Sequence, residues 1–67
     1  MELKEITKET AEELYLRYDV EIMVGNSEDS FYRFRRSERE CMTIDDCIYR
    51  WLNYHDGPVR FFIKRYI

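Results

Sequence analysis

The sequence predicts an α+β fold, a small antiparallel (mixed) three-stranded sheet with two helices on one face, in the order α-β-β-α-β. Three observations carry this. Two threonine-led stretches repeat apolar residues at the three-four spacing of one helix face. Three other runs alternate apolar and polar residues with the period of two that a half-buried strand requires. Turn formers separate them at Gly25–Asp29 and Asp56–Pro58. The 67 residues suffice for one domain. A chain this short buries only roughly 60% of its unfolded surface. Its 16% aromatic content offsets part of that deficit, because each ring buries a large area.

Met1–Ile6 reads two ways, as the first turn of a helix or as a short edge strand. The strand reading changes the pattern to βαββαβ, a ferredoxin-like alternative. Thr7 then suits a helix N-cap, with Ile6 and Ala11 as its staple. Ala11, Leu14, Tyr15 and Tyr18 fall on one side of that helix, while Glu9, Glu12 and Glu13 fall on the solvent side near its N-terminal, positive end. From Tyr18 to Val24, Val20, Ile22 and Val24 face one way and Asp19, Glu21 and Met23 the other. The polar link Gly25–Asp29 turns the chain into a second strand, Phe31–Arg36, with Tyr32 and Phe34 inward and Phe31, Arg33 and Arg35 outward.

The segment Thr43–Ile67 is the densest in aromatic and basic residues. Thr43 and Asp46 form the signature of a capping box, with Met42 and Cys47 as a staple. Ile44, Cys47, Ile48, Trp51, Leu52 and His55 share one helix face, and Asp56-Gly57-Pro58 is expected to stop it. Val59, Phe61 and Ile63 then alternate with Arg60, Phe62, Lys64 and Tyr66 in the last strand. A helical crossover makes that strand parallel to the second hairpin strand, which leaves Tyr18–Val24 central and antiparallel to both neighbours. Trp51 is the expected core anchor, facing Ile22, Phe34 and Phe61.

Composition excludes several function classes. No apolar run approaches the ~20 residues of a membrane span. With two glycines there is no phosphate-cradling loop. Cys41, Cys47 and His55 lack a zinc spacing and a fourth ligand. The two cysteines read as reduced thiols. Together with the charged opening Met1–Glu5, which has no signal-peptide pattern, they point to the cytoplasm. No cofactor or catalytic motif emerges: His55 sits at a helix end where it can meet open carbonyls, and a small enzyme or ribonuclease toxin built on it is the weakest reading.

The net charge of −3 is unevenly spread. Residues 1–30 hold nine acids and three bases, and residues 31–67 eight bases and five acids. Either the halves pair with each other or each faces a partner. The uncovered face of the sheet gathers Glu21, Met23, Phe31, Arg33, Arg35, Arg60, Phe62, Lys64 and Tyr66. These are the residue types of interface centres. The same set could instead be a ladder in which Glu21 pairs with flanking arginines and the rings cover backbone.

The expected function is therefore a non-catalytic protein-binding module, most simply an inhibitor that blocks a site on a larger protein or protein–nucleic acid complex. Phe31, Arg33, Arg35, Arg60, Phe62, Lys64 and Tyr66 would make the contact. Glu9 and Glu13 would offer a second, phosphate-like surface. In size and make-up the chain resembles the small phage-encoded inhibitors of host enzymes and defence systems, anti-CRISPR proteins among them. That resemblance assigns no residue a role. A second copy of the chain could use the same face. The alternative is single-stranded nucleic-acid binding through stacked rings and flanking bases, although Phe31-Tyr32-Arg33-Phe34-Arg35 departs from the glycine-containing RNA-recognition motif and the net negative charge disfavours phosphate.

Overall fold

The structure, a computed structural model, describes residues 2–38 and 43–65. Its elements run β1 (Leu3–Ile6), α1 (Lys8–Arg17), β2 (Ile22–Ser27), β3 (Ser30–Phe34), a short 3-10 turn (Arg36–Glu38), α2 (Ile44–Leu52) and β4 (Arg60–Lys64). The α+β class is as the sequence predicts. The sheet, however, has four strands in the order β1-β4-β2-β3, all neighbours antiparallel, where three were expected. The fourth is the Leu3–Ile6 strand, so the element order is the βαββαβ alternative. The expected core of the arrangement stands: β2 lies between β3 and β4, antiparallel to both. β2 and β4 are the central strands, whereas the ferredoxin-like plait has its first and third strands there. Each helix thus links two parallel strands with a third between them.

Threonine caps start both helices. The Thr7 hydroxyl accepts from the Thr10 amide, and in α2 Thr43 and Asp46 form the full reciprocal box. Removing the box with Thr43→Ala is expected to cost about 1 kcal/mol, read as a lowered urea midpoint at unchanged slope. The helix N-termini lie side by side, with Lys8 3.0 Å from Asp45. α2 stops at Leu52, earlier than the Asp56-Gly57-Pro58 stop. Gly57 does take positive φ (95°), but in the loop beyond the helix. His55 therefore lies past the helix end, and its Nδ1 donates to the Trp51 carbonyl at 3.2 Å, which is how an end carbonyl is satisfied.

The rows of the sheet separate two faces. Ile6, Phe61, Val24 and Tyr32 stand opposite one another on the helix side, with Ile22 paired to Phe34 beside them. Against these, α1 contributes Ala11 and Tyr15, and α2 contributes Ile44, Cys47 and Trp51. Tyr18, expected on the inner stripe, is 63% exposed. The chain turns at Asp19, whose φ of 51° is a left-handed conformation that Asp tolerates better than most residues. That turn delays β2 to Ile22. Among the described residues no helix is long and apolar enough to cross a membrane. The proposed roles of Met42, Cys41 and Tyr66 fall outside the described residues.

Candidate functional site

The sheet face away from the helices carries Phe31, Arg33, Arg60, Phe62 and Lys64 as alternation predicts, and β1 adds Leu3 and Glu5 to it. One row crosses all four strands: Glu5, Phe62, Met23, Arg33. The face is not an open aromatic platform. Phe62 and Met23 are both 0% exposed. The Arg60 guanidinium lies 5.2 Å above the Phe62 ring and holds Glu5 with two hydrogen bonds, Nη2 to Oε1 at 2.7 Å and Nε to Oε2 at 3.0 Å. Lys64 stands 3.6 Å from Glu21. Long charged side chains thus lie over apolar ones and keep their heads in water. This is the ladder arrangement, with Lys64 rather than an arginine opposite Glu21. Its second rung, Glu5–Arg60, exists because β1 joins the sheet.

The remaining residues of the expected contact set divide. Phe31 is half-buried beneath Arg33, whose guanidinium sits 5.7 Å from the ring. Arg35 is half-buried and lines a cavity of about 390 Å³ with Glu21, Lys64, Asp19, Leu14, Tyr18, Val20 and Ile63. Glu9 and Glu13 are exposed on the outer side of α1, with Glu12 beside them, on the opposite side of the molecule from the Arg33–Phe62 row.

The structure brings forward a surface that alternation and helical spacing do not mark. Tyr32 packs edge-on against Trp51 (centroids 5.0 Å apart, planes at 76°) and against His55 (5.3 Å, 81°), and those two rings stack at 3.7 Å with planes 6° apart. Tyr32 nonetheless keeps 36% of its surface exposed, at the outer edge of the sheet. It lines two hollows, one on each side of β3. The first is formed with Asp29, Phe31 and Arg33, the second with Arg50, Asn53 and Tyr54. Tyr54 is 79% exposed. Neither Arg33 nor Arg50 has an ion-pair partner among the described residues. The available signal was positional: Arg50 and Tyr54 fall off the apolar stripe of α2, yet Tyr54 is a large ring.

Among the described residues, Glu5 and Asp19 have perturbed carboxylates. Asp19 is held below the usual carboxylate range by hydrogen bonds from the Ser37 hydroxyl and the Ser37 amide, helped by the charges of Arg35 and Arg36. Glu5 is lowered by its hydrogen bonds from Arg60, with the guanidinium charge adding to them. A depressed folded pKa means that the unfolded chain takes up protons first as pH falls. The stability these groups contribute is complete above their unfolded values of about 3.9 and 4.3, and is lost as pH falls through the lower folded values. Asp19→Asn keeps a residue that tolerates φ of 51° and removes the charge. It is expected to flatten the acid limb of melting temperature against pH; an unchanged limb would show that Asp19 is not responsible.

Among the described residues no cluster of His, Cys, Asp and Glu is placed to hold a metal ion. Comparisons with protein-family models, with curated proteins and with solved structures find no match.

Proposed function

We propose that this chain is a non-catalytic protein-binding module that covers a site on a larger protein, and that it makes contact through the β3 flank rather than the middle of the outer sheet face. The observation that carries this reading is the continuous strip Arg33, Tyr32, Arg50, Tyr54, in which both cations lack ion-pair partners among the described residues. Tyr and Arg dominate binding hot spots, because both supply large contact areas and directional hydrogen bonds. Tyr32 is also held in place by Trp51 and His55. An anchor already ordered in the free protein loses little entropy on binding.

An inhibitor of the type that anti-CRISPR proteins represent is the finer form of this proposal. It draws on the chain's small size and on the exposed acids Glu9, Glu12 and Glu13 of α1, which could stand in for phosphates on a basic partner. The nucleic-acid alternative loses support at Phe62, because a ring covered by Arg60 offers no free face for a base. Affinity capture from a native lysate, followed by mass spectrometry, tests the proposal. The expected result is one enriched protein that is lost with Arg50→Glu plus Tyr54→Ala. Loss only with Glu9→Lys plus Glu13→Lys would move the contact to α1. Enrichment of RNA instead would establish the alternative.

A further inference from the structure

We infer that β3 is a strand-addition edge that takes an acidic, extended segment of the partner as a fifth strand. The inference rests on the protein-binding reading and names its mode and chemistry. β3 is one of the two outer strands of the sheet, so alternate residues of Ser30–Phe34 direct backbone N–H and C=O groups away from β2. Such a row is a template for another chain unless something blunts it.

The two edges differ. β1 is four residues long, carries Lys4 and Glu5 in its centre, and has Glu5 tied to Arg60. Short length and charge are the usual protections of an edge. β3 carries Phe31, Tyr32 and Phe34 and has neither a proline nor a lysine; its one charge, Arg33, is not tied to a carboxylate among the described residues. Its hairpin does contain a bulge, but the extra residue, Asn26, belongs to β2, so the free side of β3 runs unbroken from Ser30 to Phe34.

Strand addition draws affinity from main-chain hydrogen bonds and specificity from pockets that receive alternate side chains. Both parts are present. One hollow lies on each side of β3, about 550 Å³ beside Phe31 and Arg33, and about 470 Å³ between Tyr32 and Tyr54. Successive side chains of an added strand point to opposite faces, so one set enters each hollow. Each hollow contains an arginine without an ion-pair partner among the described residues, Arg33 in one, where Asp29 also lines the wall, and Arg50 in the other, which has no acid in its lining. Carboxylates on both faces of the incoming strand meet them, and bidentate arginine pairing fixes register as well as adding energy. A second copy of this chain supplies no carboxylate opposite Arg33, because β3 strands paired antiparallel about Tyr32 set Arg33 against Phe31.

The test uses the whole chain and a blocked synthetic peptide of about nine residues that alternates pairs of glutamates with pairs of valines, so that carboxylates stand on both faces, and has a central tyrosine. Amide signals of the isotope-labelled protein are followed by NMR. The expected result is saturable shifts at Phe31–Arg35, Arg50, Asn53 and Tyr54, with slowed hydrogen exchange at β3 amides. N-methylating the peptide backbone on alternate residues should abolish binding in one frame and spare it in the other, because an added strand pairs through alternate amides. Arg33→Glu with Arg50→Glu should weaken binding at least about tenfold, as should replacing the glutamates of the peptide by lysine. Arg33→Ala with Arg50→Ala, which adds no charge, should weaken it in the same direction if the reversed pair disturbs the fold. Equal binding by both N-methylated peptides, equal binding by the lysine peptide, shifts confined to β1 or α1, or self-association through β3 would each overturn the inference. If a captured partner is lost with Tyr54→Ala while no acidic peptide binds, strand addition falls and the protein-binding reading stands.

Discussion

Trp51→Ala is expected to abolish the cooperative unfolding transition at ordinary temperature. Trp51 is 1% exposed and belongs to the same buried cluster as Ile22, Phe34 and Phe61. Its ring also supports two others, stacking on His55 and meeting Tyr32 edge-on. Deleting a buried Trp side chain costs about 3–5 kcal/mol. At roughly 0.05–0.15 kcal/mol per residue, a chain of this length has a total stability of the same order. Urea melts followed by circular dichroism measure the effect, and a variant that melts like the parent would remove Trp51 from its place at the centre of the core. Trp51→Phe separates packing from hydrogen bonding. The indole Nε1 is buried without a hydrogen-bond partner among the described residues, so Phe forfeits ring area and no hydrogen bond. Its loss should be well below that of Ala. Both variants also loosen the support beneath Tyr32, so either one bears on the β3 flank as well as on stability.

Much of the fold is legible from the sequence because local signals agree with tertiary packing there. Both helices follow from a threonine cap plus one apolar stripe, and residues paired across β2, β3 and β4 sit on the faces that alternation assigns. β1 is harder. Four residues with one apolar side chain at each end carry almost no period, and the strand exists because Ile6 and Glu5 find Phe61 and Phe62 more than fifty positions away. The end of α2 misleads for a related reason: the apolar spacing continues to His55, but the backbone leaves the helix after Leu52 while the side chain folds back onto Trp51. The outer face shows the limit most clearly. Alternation places Phe62 and Met23 on that face, yet the cover over Phe62 depends on which acid meets Arg60 above it. Glu5 could enter that pairing only once β1 was known to be a strand. The β3 flank is not legible in the sequence because Tyr32 reads as a core residue; it does pack on Trp51, while its edge position leaves part of the ring exposed.

Gly25→Ala is expected to be the most damaging of the small substitutions, and the reason is space rather than backbone freedom. Gly25 lies in β2 between Arg60 of β4 and Phe31 of β3, at the last regular pair before the bulge at Asn26. A methyl group there would overlap the Ser30 carbonyl oxygen and stand 2.5 Å from the Phe31 Cα. Both are backbone atoms, which cannot rotate aside as a side chain can, so the hairpin itself must part. Overpacking of a tight site typically costs about 1–3 kcal/mol, and a clash against backbone belongs at the upper end or beyond. The other glycine provides the contrast. Gly57 has φ of 95° and nothing within 4 Å of an added methyl, so Gly57→Ala meets only the conformational strain of a left-handed L-residue, about 1–2 kcal/mol. Thermal melts of the two variants should therefore rank Gly25→Ala well below Gly57→Ala. The NMR signals that move in a partly folded Gly25→Ala protein should centre on Ser30–Tyr32. Equal melting of the two variants, or a Gly25→Ala protein indistinguishable from the parent, would mean that β2 and β3 are not packed this closely. The free edge drawn along β3 would then need a different register.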